Sequence, residues 1–172
     1  NYIHIDPSIP IGNEKLTQEI IIERLLDLWA NCDEYAKSLD KEIYYEFGTE
    51  EQNGYSTDND LLREFLDSVI NFGEKNHLKL PTFIVAQTGT KVLETQNIGV
   101  FSKKIKDLDE GFINYIKTTS DLIHNYGFYL KEHNADYLSD QSLLIRPHLG
   151  IDASNIAPEF GVIETKSLIS LL

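Results

Sequence analysis

Short apolar runs and amphipathic helical patterns alternate along the chain, and this alternation constrains the fold more than any other feature. Apolar runs typical of strands start near residues 2, 42, 82, 128 and 148. Between most of them, apolar residues recur at steps of three and four, which is typical of helices with one buried face. Strands separated by helices pair in parallel through right-handed crossovers. The pattern therefore predicts an α/β fold with a parallel sheet.

The spacing of the strands indicates the kind of sheet. It is about 40 residues, which suits a (β/α) barrel of the TIM type; a complete barrel has about 250 residues, so this chain would cover about the last five β/α units. We expect residues 1–172 to form a single domain, the C-terminal portion of a barrel. A doubly wound open sheet fits the same length. The chain starts at Asn1 on a strand and contains no methionine, so we expect a piece or a processed form of a longer protein.

Residues with capping properties mark the predicted helix boundaries. Thr17 and Thr57 precede the first two helical patterns and are expected to be N-caps. Gly127 follows the third pattern, where a C-terminal cap belongs. Pro158 lies near the first turn of a final helix that we expect to run to Leu172.

The charge of the chain excludes several classes of partner. Fifteen basic and 28 acidic residues give a formal net charge of −13. This charge repels phosphate backbones and anionic membranes, so we expect neither nucleic acid nor a membrane as a partner. The longest apolar stretch is far shorter than the roughly 20 residues of a membrane span, and the N-terminus has no signal pattern, so we expect a cytoplasmic protein. The single cysteine, Cys32, is expected to be a reduced packing residue.

Ionisable and polar residues occupy alternate positions near the ends of the apolar runs. Side chains alternate between the two faces of a strand, so residues two or four apart share a face. The groups that share a face are His4 with Asp6, Tyr44 with Glu46 and Glu50, Lys131 with His133, and His148 with Asp152. A parallel sheet that buries its other face under helices would gather these groups in one pocket at its carboxyl edge.

Three histidines at these strand ends suggest a site for a divalent metal such as Zn²⁺. His4, His133 and His148 would be the ligands, and Asp6 or Asp152 would orient a ligand or act as a general base. A metal there would polarise a carbonyl and stabilise an enediolate. The alternative, to which we give equal weight, is a set of polar residues that hydrogen-bond one another without a metal.

Lys131 and Glu50 are further candidates for catalysis. A lysine on a barrel strand could form a Schiff base with a ketose carbonyl. We favour the alternative, an ion pair between Lys131 and Glu46 or a neighbouring acid, because an acidic pocket usually needs a cation. Glu50, in the loop after the second strand, is expected to act as a base or to accept a hydrogen bond from a sugar hydroxyl.

Loops after the later strands have residues suited to bind the phosphate group of a substrate. Asn134, Gly150, Ser154 and Asn155 follow the last two strands, and the final helix begins close by, so backbone N–H groups could cradle an anion. Gln87 opens a second polar loop with a permissive glycine. The alternative is that these residues form ordinary turns and caps.

An ordered set of short motifs resembles a known family. The motifs are Ile3-His4-Ile5-Asp6, Gly48-Thr49-Glu50, Val85-Ala86-Gln87-Thr88-Gly89 and His133-Asn134-Ala135-Asp136-Tyr137, which together extend from about residue 2 to about residue 153. In this set the chain resembles the accessory, non-catalytic subunit family of bacterial class II D-tagatose-bisphosphate aldolases, also labelled tagatose-6-phosphate kinases. The resemblance implies a (β/α) barrel, carbohydrate metabolism and a sugar-phosphate-shaped pocket, with Asp136 among the substrate-binding residues. The chain departs from the family at Lys131, where a carboxylate is usual.

These patterns and the resemblance lead to a functional hypothesis with two alternatives. The first is a sugar-phosphate-binding barrel protein with aldolase- or epimerase-like chemistry on a ketose phosphate or a related acidic sugar. One alternative is a non-catalytic accessory subunit that stabilises a separate tagatose-bisphosphate aldolase subunit, and the other is a sugar-binding domain with neither role. An unclosed half-barrel leaves a strand edge uncovered, so we also expect a partner aldolase subunit or a homo-oligomer. Exposed apolar area on the helical shell would favour the accessory role.

Overall fold

A computed structural model describes residues 1–48, 57–102 and 107–172 of the chain. The strands within these residues are β1 (Tyr2–Ile5), β2 (Tyr44–Phe47), β3 (Phe83–Val85), β4 (Val92–Leu93), β5 (Gln96–Asn97), β6 (Tyr129–Glu132) and β7 (Ala153–Ser154). The α-helices are α1 (Gln18–Ser38), α2 (Asn59–Asn76), α3 (Glu110–Asn125), α4 (Asp140–Ile145) and α5 (Pro158–Ile169). Short 3₁₀ helices span Val100–Ser102 and Arg146–Leu149. Over the same residues, the structure has no helix with the length and apolar character needed to cross a membrane.

Five of the strands form one parallel sheet, in the order β1, β2, β3, β6, β7. The strands β4 and β5 form a separate antiparallel hairpin. The predicted α/β fold with a parallel sheet is therefore confirmed. The strands of the sheet follow their order in the chain, without the reversal that defines a doubly wound sheet. This sequential order is that of strands in a (β/α) barrel, although these five strands by themselves form an open sheet.

Helices pack against one face of the sheet and form the core. Ile5, Phe47 and Leu130 belong to this buried cluster, and each is at most 4% exposed. The indole of Trp29 on α1 lies 5.1 Å from the ring of Phe47, between centroids. Gly73 on α2 admits the indole, because a Cβ at this position would lie 2.7 Å from Trp29 Cη2. Burial of each such large apolar side chain contributes about 1.5–3 kcal/mol, so this layer holds the sheet and the helices together.

The opposite face of the sheet has an aromatic half and a polar half. The ring centroid of Tyr2 lies 5.3 Å from that of Tyr44 and 6.0 Å from that of Phe83. The ring centroids of Phe83 and Tyr129 are also 6.0 Å apart. Tyr2 and Tyr129, at the two ends of this aromatic row, are 58% and 52% exposed. Two residues further along β1, β2 and β6, the same face becomes polar, whereas β3 has Val85 at this position. The polar half lies at the carboxyl edge of the sheet, and it is where the predicted site residues would meet.

The helix caps agree with the sequence in two of three cases. Thr17 is the N-cap of α1, and Gly127 follows α3 with a φ of 82°, both as predicted. The prediction for α2 is wrong, because Asp58 is the N-cap and accepts hydrogen bonds from two N–H groups of the first turn. Thr57 Oγ1 instead accepts a hydrogen bond from the Gln87 N–H, at 2.9 Å, and so ties the start of α2 to the loop after β3.

The final strand lies later in the chain than its apolar run predicts. The apolar run near residue 148 lies in and just after the 3₁₀ helix Arg146–Leu149. The final strand of the sheet is instead the short segment β7. Pro147 has no backbone N–H to donate, so it suits the first turn of a helix better than a sheet. Gly150 ends the 3₁₀ helix with a φ of 78°, a left-handed conformation that would interrupt a strand. The final helix begins at Pro158 as predicted but ends at Ile169 rather than at Leu172.

Candidate functional site

Three strands bring two histidines, a glutamate and a lysine to the carboxyl edge of the polar face. His4 on β1 is the register partner of Glu46 on β2, so the two side chains share this face. Lys131 on β6 lies on the same face, and His133 follows just beyond the strand. The structure thus brings these four side chains together, although β6 is more than 80 residues from β2 in the chain.

Glu46 is the centre of this cluster. Its Oε1 lies 3.0 Å from His4 Nδ1 and 3.0 Å from His133 Nε2, and its Oε2 contacts the ammonium group of Lys131. The residue is 4% exposed. Burial by itself would raise the pKa of Glu46, but the hydrogen bonds from His133, His4 and Lys131 outweigh burial and hold the pKa below its usual range. The ion pair of Lys131 with Glu46 that we favoured from the sequence is therefore present.

His4 lies between the carboxylates of Glu46 and Asp6. Its Nε2 is 3.8 Å from Asp6 Oδ2. Asp6 first, and then Glu46, raise the pKa of His4 to about 9. Burial raises the pKa of Asp6, but His4 and the Ser8 side chain and N–H lower it further, so the pKa of Asp6 is below its usual value. Gly48 leaves space for the pair, because a Cβ at this position would lie 3.0 Å from Asp6 Oδ2 and 3.2 Å from His4 Cε1.

Three of these side chains have the composition of a metal site. One ligand atom from each of His4, Glu46 and His133 lies within 4.8 Å of the other two. The two imidazole rings are 4.9 Å apart between centroids. Two imidazoles and one carboxylate are a donor set used by catalytic zinc sites. The sequence hypothesis proposed three histidines, whereas the structure places Glu46 where His148 was expected.

His148 and Asp152 lie away from the cluster, which corrects their expected positions. His148 is exposed on the 3₁₀ helix. Asp152 precedes β7 and therefore lies at the opposite end of the sheet from the carboxyl edge. Its Oδ2 accepts a hydrogen bond from the Leu130 N–H at 2.8 Å and pairs with His124 Nε2 at 2.7 Å. The segment turns back toward α3 instead of continuing a strand, so these two residues cannot reach the other histidines.

Two of the residues expected to bind phosphate have structural partners instead. Gly150 lies against α3. Its carbonyl oxygen accepts a hydrogen bond from Ser120 Oγ at 2.8 Å, and a Cβ at position 150 would lie 2.1 Å from Ser120 Oγ. Gly150 is therefore remote from the carboxyl edge. Ser154 Oγ donates to Glu132 Oε1 at 2.7 Å, so this hydroxyl is used inside the protein.

The other expected substrate-binding residues lie in loops at the carboxyl edge, and Glu50 lies outside the described residues. Asp136 caps α5, because its Oδ1 accepts hydrogen bonds from two N–H groups at the start of that helix, each at 2.9 Å. The backbone N–H of Asn155 donates to the Glu132 carbonyl, at 3.0 Å. Asn134 follows His133 with a φ of 59°, and Gln87 follows β3 and is 1% exposed.

A second buried group, which the strand pattern did not predict, is centred on Glu132. Glu132 is 0% exposed, and its two oxygens accept hydrogen bonds from Thr88 Oγ1 at 2.6 Å, Ser154 Oγ at 2.7 Å and Arg146 Nε at 2.9 Å. The signal was present in the strand, because Glu132 places a charge on the face that packs against helices. A charged residue is almost never fully buried unless it is paired.

Comparisons with known proteins bear on the fold. No protein-family model matches the chain, and no curated protein matches it. The crystal structure of the YdjI aldolase from Escherichia coli K12 is similar over 92% of this chain and 44% of that chain, with a TM-score of 0.54 and 19% sequence identity. The glycerol complex of the fructuronate-tagaturonate epimerase UxaE from Cohnella laeviribosi is similar over 80% of this chain and 26% of that chain, with a TM-score of 0.50 and 11% identity.

The chain therefore spans less than half the length of either of these proteins. At sequence identities of 19% and 11%, the structural similarity shows a shared fold alone. It supports the sequence resemblance at a coarse level: the chain has an α/β fold with a parallel sheet, similar to that of an aldolase and of an epimerase.

Proposed function

We propose that this chain forms an active site for aldolase- or epimerase-like chemistry on a ketose phosphate or a related acidic sugar. The observation that carries the proposal is the convergence of His4, Glu46 and His133 at the carboxyl edge of a parallel sheet. Active sites of (β/α) barrels lie at this edge. The fold likeness to an aldolase and to an epimerase supports the same two reaction classes.

The three side chains fit a divalent metal such as Zn²⁺. In a tetrahedral site with ligand bonds near 2.1 Å, neighbouring ligand atoms are about 3.4 Å apart. Glu46 Oε1 lies 3.0 Å from one nitrogen of each histidine, which is close to that separation. His4, Glu46 and His133 would hold the ion, and His4 would release the proton that its raised pKa retains. The ion would supply Lewis-acid polarisation of a substrate carbonyl.

Lys131 and Asp6 have complementary roles in the proposed site. The ammonium group of Lys131 neutralises Glu46, and its remaining N–H donors bind an anionic oxygen of the substrate. The carboxylate of Asp6, which lies beside His4, is the proposed general base that accepts a proton from the carbon next to the substrate carbonyl. Aldol addition, and epimerisation at a carbon next to a carbonyl, both begin with removal of such a proton.

We also propose that further parallel strands complete this sheet into a (β/α) barrel. The sequential strand order supports a barrel. Tyr2 and Tyr129 are half exposed on the face that would become the barrel interior. On α5, Phe160 and Ile163 are 65% and 53% exposed, as expected for a helix next to an open sheet edge. Both similar proteins have chains more than twice as long as the part that matches.

Metal analysis of the purified protein, followed by a thermal-shift screen against sugar phosphates, tests the proposed function. We expect stoichiometric metal and a higher melting temperature with a ketose phosphate. His133→Ala should abolish both effects, because it removes one of the proposed ligands. His148→Ala is the matched control and should leave both unchanged, because His148 is exposed and lies away from the cluster. Absence of metal and of any ligand shift in the unmutated protein would contradict the proposal.

An accessory role is a second candidate, and the exposed apolar side chains of α5 favour it. Besides the two named above, Leu168 and Ile169 are 62% and 63% exposed. Such surfaces often contact another protein. The test is to mix the chain with a tagatose-bisphosphate aldolase subunit and to measure the mass of the complex and the melting temperature of the aldolase. If no complex forms and the aldolase is not stabilised, the accessory role is rejected.

A further inference from the structure

The backbone that follows β6 has an unusual conformation just beyond His133. Asn134 and Tyr137 both have a φ of 59°, although neither is glycine. Left-handed conformations of such residues are strained and persist where the surrounding structure holds them. The segment 133–137 therefore needs partners that fix its course.

The loop that contains the β4–β5 hairpin supplies two of these partners. Thr90 Oγ1 donates to the carbonyl oxygen of His133 at 2.6 Å. Asn97 Nδ2 donates to the carbonyl oxygens of Asn134 at 2.9 Å and of Asp136 at 3.0 Å. Thr90 is 2% exposed and Asn97 is 8% exposed, so water does not compete freely for these bonds. Three carbonyl groups of the strained segment are thus held by one loop.

The loop itself has little freedom to move. Asn97 Oδ1 accepts a hydrogen bond from the Gly99 N–H at 3.2 Å, which fixes the orientation of the Asn97 amide. The N–H of Val100 donates to the Gly89 carbonyl at 2.7 Å and closes the loop at its base. A Cβ at Gly99 would lie 2.1 Å from Gly89 O, so this closure requires glycine. The contacts to the segment after β6 are therefore preorganised.

We propose that Thr90 and Asn97 are positioning residues for His133. They hold the backbone of His133 and of the residues that follow it, so that the Nε2 atom of His133 lies 3.0 Å from Glu46 Oε1. The proposal rests on the proposed function, in which His133 is a metal ligand. It adds that a loop after β3 sets the geometry of a ligand that lies just beyond β6. Partners that orient metal ligands typically change metal affinity by 10–100-fold when they are removed.

The experiment compares Thr90→Val, Thr90→Ser and Ser102→Ala in the full chain. Valine has the shape of threonine without the hydroxyl, and serine keeps the hydroxyl. Ser102→Ala is the control, because it removes a hydrogen bond to Gly99 O, at 2.7 Å, that does not involve the segment 133–137. The readouts are Zn²⁺ affinity, the imidazole NMR signals of His133 in the metal-free protein, and the urea unfolding midpoint. His133→Ala identifies the His133 signals by their loss.

We expect Thr90→Val to weaken Zn²⁺ binding by about tenfold and to shift the His133 imidazole signals, because the carbonyl of His133 loses its donor. Thr90→Ser should restore both readouts, and Ser102→Ala should change neither. If Thr90→Val does not fold, Asn97→Ser is tested with the same readouts, because it removes the donors to Asn134 and Asp136.

Two results separate this proposal from the proposed function. If the unmutated protein binds no Zn²⁺, the metal site is rejected, and the His133 signals of the metal-free variants still decide whether Thr90 positions the ring. If Thr90→Val, or Asn97→Ser in its place, leaves the His133 signals and any Zn²⁺ affinity unchanged in a folded protein, the positioning role is overturned.

Discussion

Arg146 and Glu132 form an ion pair, with 2.9 Å between Nε and Oε1, in which the two side chains are only 4% and 0% exposed. The guanidinium carbon of Arg146 also lies 4.0 Å from the centre of the Phe101 ring. Glu132 accepts further hydrogen bonds from Thr88 and Ser154. Through Glu132 the pair therefore joins β6 to β7, to the loop after β3 and to the 3₁₀ helix Arg146–Leu149, on the face of β6 opposite to Lys131.

Arg146→Met should destabilise the protein strongly. The substitution leaves the carboxylate of Glu132 buried without its cation, and removal of one partner from a buried ion pair costs about 3–5 kcal/mol. Urea unfolding measures the change in the free energy of unfolding. The double variant with Glu132→Gln should recover part of the loss, because it removes the unpaired charge. A loss below about 1 kcal/mol for Arg146→Met, the size expected of an exposed pair, would show that the pair is not buried in solution.

Gly48→Ala should weaken metal binding with little effect on stability. The added Cβ would lie 3.0 Å from Asp6 Oδ2 and 3.2 Å from His4 Cε1, so the pair must move by a few tenths of an ångström. We expect a loss of about tenfold in Zn²⁺ affinity, measured by titration against a chelator. Gly161→Ala on α5 is the control, because, apart from the adjacent residues and the backbone of its own helix, no atom of the described residues lies within 4 Å of its added Cβ. Equal affinities in the two variants would remove Gly48 from the site.

Lys131 should behave as an ion-pair partner and not as a Schiff-base lysine. Its Nζ forms an ion pair with Glu46, and an amine that is engaged in this way is not free to attack a carbonyl. Borohydride treatment with a ketose phosphate should therefore trap no adduct in the unmutated protein. Lys131→Met should raise the pKa of Glu46, because it removes a cation that holds the pKa down. A trapped adduct that disappears in Lys131→Met would establish the Schiff base instead.

The ion pair of Glu14 with Arg24 should make stability depend on acidic pH. Two hydrogen bonds from the guanidinium group, at 2.7 and 2.6 Å, and one from the Ile11 N–H lower the pKa of Glu14 to about 2. The folded pKa is below the unfolded value of 4.5, so the stabilisation is complete above pH 4.5 and is lost as the pH falls toward 2.

Glu14→Gln tests this pH dependence, because glutamine does not titrate. The difference in the free energy of unfolding between the unmutated protein and Glu14→Gln should shrink between pH 4.5 and pH 2. The difference should be small throughout, because the two side chains are still 28% and 25% exposed and solvent screens the pair. Glu64→Gln, at an exposed position on α2, is the control. A difference that stays constant over this pH range would contradict the assignment.

By itself the sequence determined the class of fold and much of its framework. Expected strand starts near residues 2, 42, 82 and 128 correspond to strands that begin at residues 2, 44, 83 and 129. Residues two apart on a strand share a face, and this local rule placed His4 with Asp6 and Lys131 with His133 correctly. Caps such as Thr17 were also predictable, since they depend on only a few neighbouring residues.

Only the tertiary structure decided which of these groups meet. Glu46 became the centre of the cluster because the register between β1 and β2 places it opposite His4. His148 was excluded because the chain turns back at Gly150 and places the last strand at Ala153–Ser154. Such pairings depend on contacts between segments far apart in the chain, and strand and helix periodicities do not report these contacts. The sequence therefore indicated the chemistry available at the sheet edge, and the packing of distant segments determined which side chains share it.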